Sequence, residues 1–141
     1  MKWSQLLIGV ASIAVVVAAF ALWMGRGRET TTVSTSRGGT GVRVPPIFSE
    51  VATRGAVAFN ATCAACHGIN GAGTDAGPPL VHRIYEPSHH SDYAFQIAVA
   101  NGVRAHHWRF GDMPPQRGLT QAEVVDIIAY VRELQRENGI E

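Results

Sequence analysis

Cys63-Ala64-Ala65-Cys66-His67 is the stretch that decides the fold of this chain. It contains the only two cysteines of the 141 residues, and a histidine follows the second cysteine directly. The two thiols lie about one helical turn apart, so they can reach the two vinyl groups of one porphyrin while the imidazole lies under its iron. The stretch therefore predicts one haem c, attached covalently through Cys63 and Cys66, with His67 as an iron ligand.

Two other kinds of site use the same cysteine spacing. A thioredoxin-like redox pair lies in a βαβ setting, and half of a zinc site requires a second cysteine pair. The sequence has no run with the alternating pattern of a strand, and it has no further cysteine. Haem attachment is therefore the interpretation that the sequence favours.

The second iron ligand is expected from a loop ahead of the last helix. Residues 111–115 read GDMPP, and Met113 is the only methionine after Met24. The two prolines restrict the backbone and so fix the direction of the methionine side chain. We predict His67 and Met113 as the metal ligands. The alternatives are plain core packing of Met113 or a histidine in its place on the iron.

The amino-terminal segment differs in composition from the rest. Residues 6–24 are apolar except for Ser12, and a run of this length can cross the hydrocarbon layer of a membrane. The pattern predicts a transmembrane anchor over residues 1–25, with residues 4–24 in the membrane. A cleaved signal peptide is the alternative, because Ala19-Phe20-Ala21 resembles a cleavage site.

The remaining chain divides into a linker and one domain. Residues 26–46 are rich in Thr, Ser, Gly and Arg, which predicts a flexible linker. Residues 47–141 have the length of one small domain. From Phe48 onward, seven arginines stand against ten carboxylates, so the domain is mildly acidic and offers no signature of nucleic-acid binding.

Helix signals account for most of this domain. Ser49 is a candidate N-cap for a first helix that places Val51, Gly55, Ala58 and Phe59 on one face. A second helix starts after Ser91 and ends at Gly102, and a third starts with the capping box Thr120-Gln121-Ala122-Glu123. We predict an all-α fold of about three to five helices around one covalent haem.

These features resemble the class I c-type cytochromes over the whole domain. In that family a glycine and an aromatic on the first helix meet an aromatic on the last, and Gly55, Phe59 and Tyr130 stand at those positions. Residues 77–80, GPPL, match the family's G-P-x-L loop. The resemblance implies that the backbone carbonyl of Pro78 accepts a hydrogen bond from His67 and so orients the ring.

Other residues near Met113 in the sequence are candidates to bind the haem propionates. Trp108 and Arg109 have hydrogen-bond donors that suit these anions, and Arg104 and Arg117 lie close by. Histidine pairs lie at residues 89–90 and 106–107. Because imidazole binds several transition metals, a copper-handling role for these pairs is an alternative function.

The combined pattern predicts a one-electron carrier rather than an enzyme. A His/Met pair leaves no open position on the iron and favours a positive potential. Such haems are attached outside the cytoplasm, so we expect the domain in a bacterial periplasm, with the anchor in the inner membrane and the N-terminus in the cytoplasm. The expected partners are an oxidase, a quinol-oxidising complex or a dehydrogenase. A gas sensor with a displaceable Met113 is the alternative.

Overall fold

A computed structural model describes residues 41–141 of the chain. The predicted membrane anchor and most of the predicted linker lie outside the described residues. Within residues 41–141, none of the helices combines the length and the apolar character needed to cross a membrane.

The described part is helical, as the sequence predicts. Its four α-helices are α1 (Glu50–Thr62), α2 (Ala64–His67), α3 (Asp92–Asn101) and α4 (Gln121–Glu137). Short 3₁₀ turns lie at Ile69–Gly71 and Arg83–Tyr85. Residues 41–141 contain isolated β-bridges, including one between Val103 and Met113, but no strand. The all-α prediction is therefore confirmed for this part of the chain.

The predicted caps define the ends of the helices. The Ser49 hydroxyl accepts a hydrogen bond from the backbone N–H of Ala52 at 3.1 Å, and Ser91 caps α3 in the same way. Thr120 and Glu123 form a complete capping box at the start of α4. Gly102 ends α3 with φ 76°, a left-handed conformation that favours glycine.

The core forms where α1 crosses α4. Phe59 is fully buried, and its ring centroid lies 5.4 Å from that of Tyr130. The predicted face of α1 was partly wrong, because Val51 is 37% exposed whereas Ala52 is completely buried. The row that meets α4 runs through Ala52, Gly55 and Phe59, which have the i, i+3, i+7 spacing of one helical face.

The end of the predicted linker contains a residue that packs into the domain core. The Val42 side chain is only 7% exposed and belongs to the core. Next to it, the backbone N–H of Arg43 donates to the Asn138 side chain at 2.9 Å, and the Asn138 amide donates back to the Arg43 carbonyl at 2.8 Å. The end of the predicted linker is therefore packed against the end of α4, through the apolar Val42 side chain and the backbone hydrogen bonds of Arg43.

A buried arginine on α4 holds the loop between α2 and α3. Arg132 is 7% exposed, and its guanidinium donates to Asp92 at 2.8 Å and to the Tyr85 carbonyl at 2.7 Å. It also donates to the carbonyl of His90. Gln135, fully buried one turn later, donates to the Leu80 carbonyl at 2.8 Å. This network fixes residues 80–90 over the helices.

Candidate haem-binding site

A cavity of about 640 Å³ lies inside the domain. Its wall is almost entirely apolar. It comes from each of the four described α-helices and from the loops before and after α3; the lining residues include Phe59, Leu80, Phe95, Val103 and Ile127. A volume of this size falls within the roughly 300–1,000 Å³ of cofactor sites. The fold is thus built around a space for a large apolar group with a few polar positions.

The attachment sequence forms α2 and the turn before it. The backbone N–H of His67 donates to the Cys63 carbonyl at 2.9 Å, so the stretch is helical, as its spacing requires. Cys63 and His67 line the cavity, and Cys66 is exposed. Both cysteines are free thiols in the polypeptide, one turn apart, as two thioether bonds to one porphyrin require.

The Cys63 thiol is not poised for redox exchange. Burial, and in second place the neighbouring Cys66, raises the pKa of Cys63 to about 11. A redox-active cysteine instead requires a pKa low enough to give a thiolate near neutral pH. The surroundings of Cys63 therefore argue against a thioredoxin-like redox pair.

His67 is oriented by the loop that follows α2. Its ring Nδ1 lies 2.9 Å from the Pro78 carbonyl oxygen, which can only accept a hydrogen bond. Nδ1 therefore carries the proton, and Nε2 is left with a free electron pair. The bond is the one that the family resemblance implies. Only a glycine fits at position 77, because a Cβ there would lie 2.9 Å from the Cys66 carbonyl oxygen.

The surroundings of His67 also favour its neutral form. The side chain is 9% exposed, and burial lowers its pKa, while the hydrogen bond to Pro78 acts in the opposite direction. A neutral imidazole with its electron pair on Nε2 is the form that binds a metal ion. The ring thus has both the tautomer and the protonation state of an iron ligand.

Met113 lines the same cavity as His67 and is half-buried. Its backbone forms a pair of hydrogen bonds with Val103, each 2.9 Å long, in the isolated bridge after α3. The sequence suggested that prolines alone fix this residue, but the Val103 pair is a second restraint that sequence reasoning missed. A single thioether is thus held at the wall of the cavity.

The described part of the chain contains one buried side-chain donor without a partner. The indole Nε1 of Trp108 lies near the Tyr85 side chain, but within residues 41–141 it makes no hydrogen bond of acceptable length and angle, although the residue lines the cavity. Leaving such a donor unpaired costs about 1–3 kcal/mol. An anionic group in the cavity would remove this cost, and a haem propionate is such a group. The donor set therefore fits haem.

The arginines near Met113 differ in position. Arg104 lines the cavity, whereas Arg109 is exposed and is not among the described residues that line it. Tyr85, which the sequence did not single out, lines the cavity as well. Burial raises the pKa of Tyr85, and the neighbouring Trp108 acts in the opposite direction. No local sequence pattern marks Tyr85, because the long-range bond from Arg132 to its carbonyl positions it.

Comparison with known proteins agrees with this geometry. The family model described as Cytochrome c matches residues 52–135, which is more than half of the chain. No curated protein and no solved structure matches this chain. The two cysteines and the histidine of residues 63–67 have the spacing for covalent haem c. The chain thus belongs to the cytochrome c family and is a haem-based electron-transfer protein.

Proposed function

We propose that this protein carries one electron at a time, with a single haem c bound through Cys63 and Cys66 and with His67 and Met113 as axial ligands. The observation that carries the proposal is the His67 ring, whose Nδ1 is fixed by Pro78 at 2.9 Å and which shares one apolar cavity with Met113. When bound, haem c supplies an iron centre that changes its oxidation state by one electron.

The residues around the cavity suit a carrier rather than a catalyst. His67 and Met113 would fill both axial positions, so no position is left for a substrate. Apolar side chains such as Phe59 and Leu80 keep water from the wall of the cavity. A thioether ligand and an apolar surrounding both disfavour the more highly charged ferric state, which supports a positive reduction potential. A strongly negative potential in a redox titration would contradict this assignment.

Met113 can be tested by absorption in the far red, where sulfur-to-iron charge transfer gives a band in ferric haem. We expect the band in the wild-type protein with covalent haem and its loss in Met113→Ala. His106→Ala serves as the matched control, since His106 is the alternative ligand nearby, and it should keep the band. Absence of the band from the wild type would exclude Met113 and favour a gas sensor with an open or histidine-bound position.

The proposal also includes a place in the cell. We expect residues 4–24 to anchor the protein in a bacterial inner membrane, with the N-terminus in the cytoplasm and the haem domain in the periplasm. The supporting observation is the apolar run at residues 6–24. An anchor would raise the effective concentration of the domain near an oxidase, a quinol-oxidising complex or a dehydrogenase.

Fractionation of cells tests the anchor. The full chain should stay with the membranes after a wash at high pH, whereas a chain in which a cleavable signal replaces residues 1–25 should be released with the periplasmic fraction. Haem staining of both fractions shows whether the domain reached the periplasm. Release of the full chain as a shortened, soluble form would instead identify the segment as a cleaved signal peptide.

A further inference from the structure

Two histidine pairs that are distant in the sequence meet at one edge of the cavity. His89 and His90 precede α3, while His106 and His107 follow it. The His107 ring centroid lies 5.2 Å from those of both His89 and His90. One ring nitrogen from each of His89, His90 and His107 lies within 4.8 Å of the other two. Three potential ligands thus converge on one point.

His90 has the tautomer of a metal ligand. Its Nδ1 lies 2.6 Å from the Ile84 carbonyl oxygen, so Nδ1 donates a proton and Nε2 keeps a free electron pair. Metal-binding histidines almost always donate their other ring N–H in this way. Arg132 donates to the backbone carbonyl of His90, so the network on α4 also fixes this ligand.

The His89 and His107 rings are spaced as two ligands of one ion. Their Nε2 atoms lie 3.4 Å apart, which is long for a hydrogen bond. Two nitrogens at about 2.0–2.1 Å from a tetrahedral zinc ion are separated by roughly 3.3–3.4 Å. Both rings are exposed, so an ion can reach them from solvent.

We propose that His89, His90 and His107 form a second metal site that binds one divalent transition ion, Zn²⁺ or Cu²⁺, with water at the remaining position. Imidazole nitrogens suit these ions, whereas Ca²⁺ and Mg²⁺ require oxygen ligands. The sequence suggested the two pairs at residues 89–90 and 106–107, and the structure favours three of these four histidines. His106 is left out because it does not belong to the group of three whose ring nitrogens lie within 4.8 Å of one another.

Calorimetric titration of the full chain with covalent haem and without a polyhistidine tag tests the site. Zn²⁺ and Cu²⁺ are titrated separately, and we expect one tight equivalent of at least one of them. His89→Gln and His107→Gln should each weaken binding by at least about tenfold. Loss of a residue that only hydrogen-bonds to a metal ligand already weakens metal binding by this much, and here a ligand itself is lost. His106→Gln is the matched control and should bind like the wild type.

The haem absorption spectrum of each variant serves as the check on folding, since both substituted rings are exposed. Cu²⁺ bound by three imidazoles also gives an electron paramagnetic resonance signal with nitrogen couplings. Two results would overturn the proposal. One is that neither ion binds, which is expected if the haem propionates form hydrogen bonds with the nitrogens of these histidine rings. The other is that His106→Gln weakens binding as much as His107→Gln does.

Discussion

The backbone of Gly55 on α1 lies directly against the peptide carbonyl of Asp126 on α4, with no space between them for a Cβ atom. This close approach allows the aromatic rings one turn further along to meet, so that Phe59 and Tyr130 pack with centroids 5.4 Å apart. Phe59 also lines the cavity. The helix crossing thus positions one wall of the haem-binding site.

Gly55→Ala should therefore destabilise the protein. In an ordinary helix the change from glycine to alanine stabilises by about 1 kcal/mol. Here the new methyl group must separate two packed helices, and overpacking of this kind costs about 1–3 kcal/mol. Denaturant unfolding of the haem-loaded protein measures the difference. Val57→Ala on the same helix, where the side chain is 70% exposed, is the control with little effect. A more stable Gly55→Ala variant would contradict the crossing.

Tyr130→Phe tests the bond between α4 and the turn after the attachment sequence. The Tyr130 hydroxyl donates to the Asn70 side chain at 2.9 Å, and Asn70 has a left-handed backbone with φ 56°. Loss of this bond should lower the free energy of unfolding by about 1 kcal/mol. Chemical denaturation near pH 7 measures it, with Tyr93→Phe as control because Tyr93 is 67% exposed.

The same variant should change the response to alkaline pH. Burial raises the pKa of Tyr130 above the ordinary tyrosine value of 10.0. The unfolded chain therefore loses this proton first, and stability that is present below about pH 10 is lost as the pH rises through the higher folded value. Tyr130→Phe should show a shallower alkaline loss of stability than the wild type. An unchanged slope would mean that Tyr130 does not titrate with unfolding.

Sequence reasoning succeeded where the signal is local. A cap requires residues within about three positions, so Ser49, Ser91 and Thr120 mark the helix starts correctly. The attachment site is likewise contained in five consecutive residues.

It failed where the partner is distant in the chain. Whether Val51 is exposed depends on which face of α1 packs against α4. Whether Val42 is buried depends on its contacts with the end of α4. The convergence of His89 with His107, which are 18 positions apart, follows from the path of the loops around α3. Periodicity in one segment contains no information about these contacts.

Arg132→Met should destabilise the domain because it removes the charge that satisfies several loop carbonyls. The Tyr85 carbonyl and the buried Gln135 side chain, 2.7 and 2.6 Å from the guanidinium, would lose this donor. Asp92 is 63% exposed and is rehydrated at little cost. We expect a loss of about 3 kcal/mol in denaturant unfolding. Arg136→Met, one turn later and 57% exposed, should cost less than about 1 kcal/mol. Equal losses in the two variants would contradict the network.

Trp108→Phe tests the unpaired indole. If the Nε1–H donates to a haem propionate, the substitution removes this hydrogen bond. The negative charge of the propionate beside the iron is then less compensated, which favours the ferric state. The reduction potential should fall, and the propionate pKa should rise, so the pH dependence of the potential moves to higher pH. Phe110→Leu is the control, since Phe110 also lines the cavity but has no donor. A variant with the potential of the wild type at every pH would place the propionates elsewhere.

Zinc should raise the reduction potential of the haem. His90 and His107 belong to both the proposed metal site and the wall of the cavity, so a bound dication would lie beside the haem. Its charge favours the ferrous state, which has one positive charge fewer than the ferric state. By linkage the ferrous protein must then bind Zn²⁺ more tightly, and each tenfold preference corresponds to about 59 mV for a one-electron couple.

Redox titrations with and without saturating Zn²⁺ measure this shift, and calorimetry on the reduced and oxidised protein measures the ratio of affinities independently. His107→Gln should abolish the shift, because it removes a ligand, while His106→Gln should keep it. If the potential falls on addition of Zn²⁺, or if the shift survives in His107→Gln, then the ion acts from another place on the protein. Linkage requires the measured shift to agree with the affinity ratio wherever the ion binds, so it is the loss of both in His107→Gln, and their retention in His106→Gln, that would locate the ion at the three histidines.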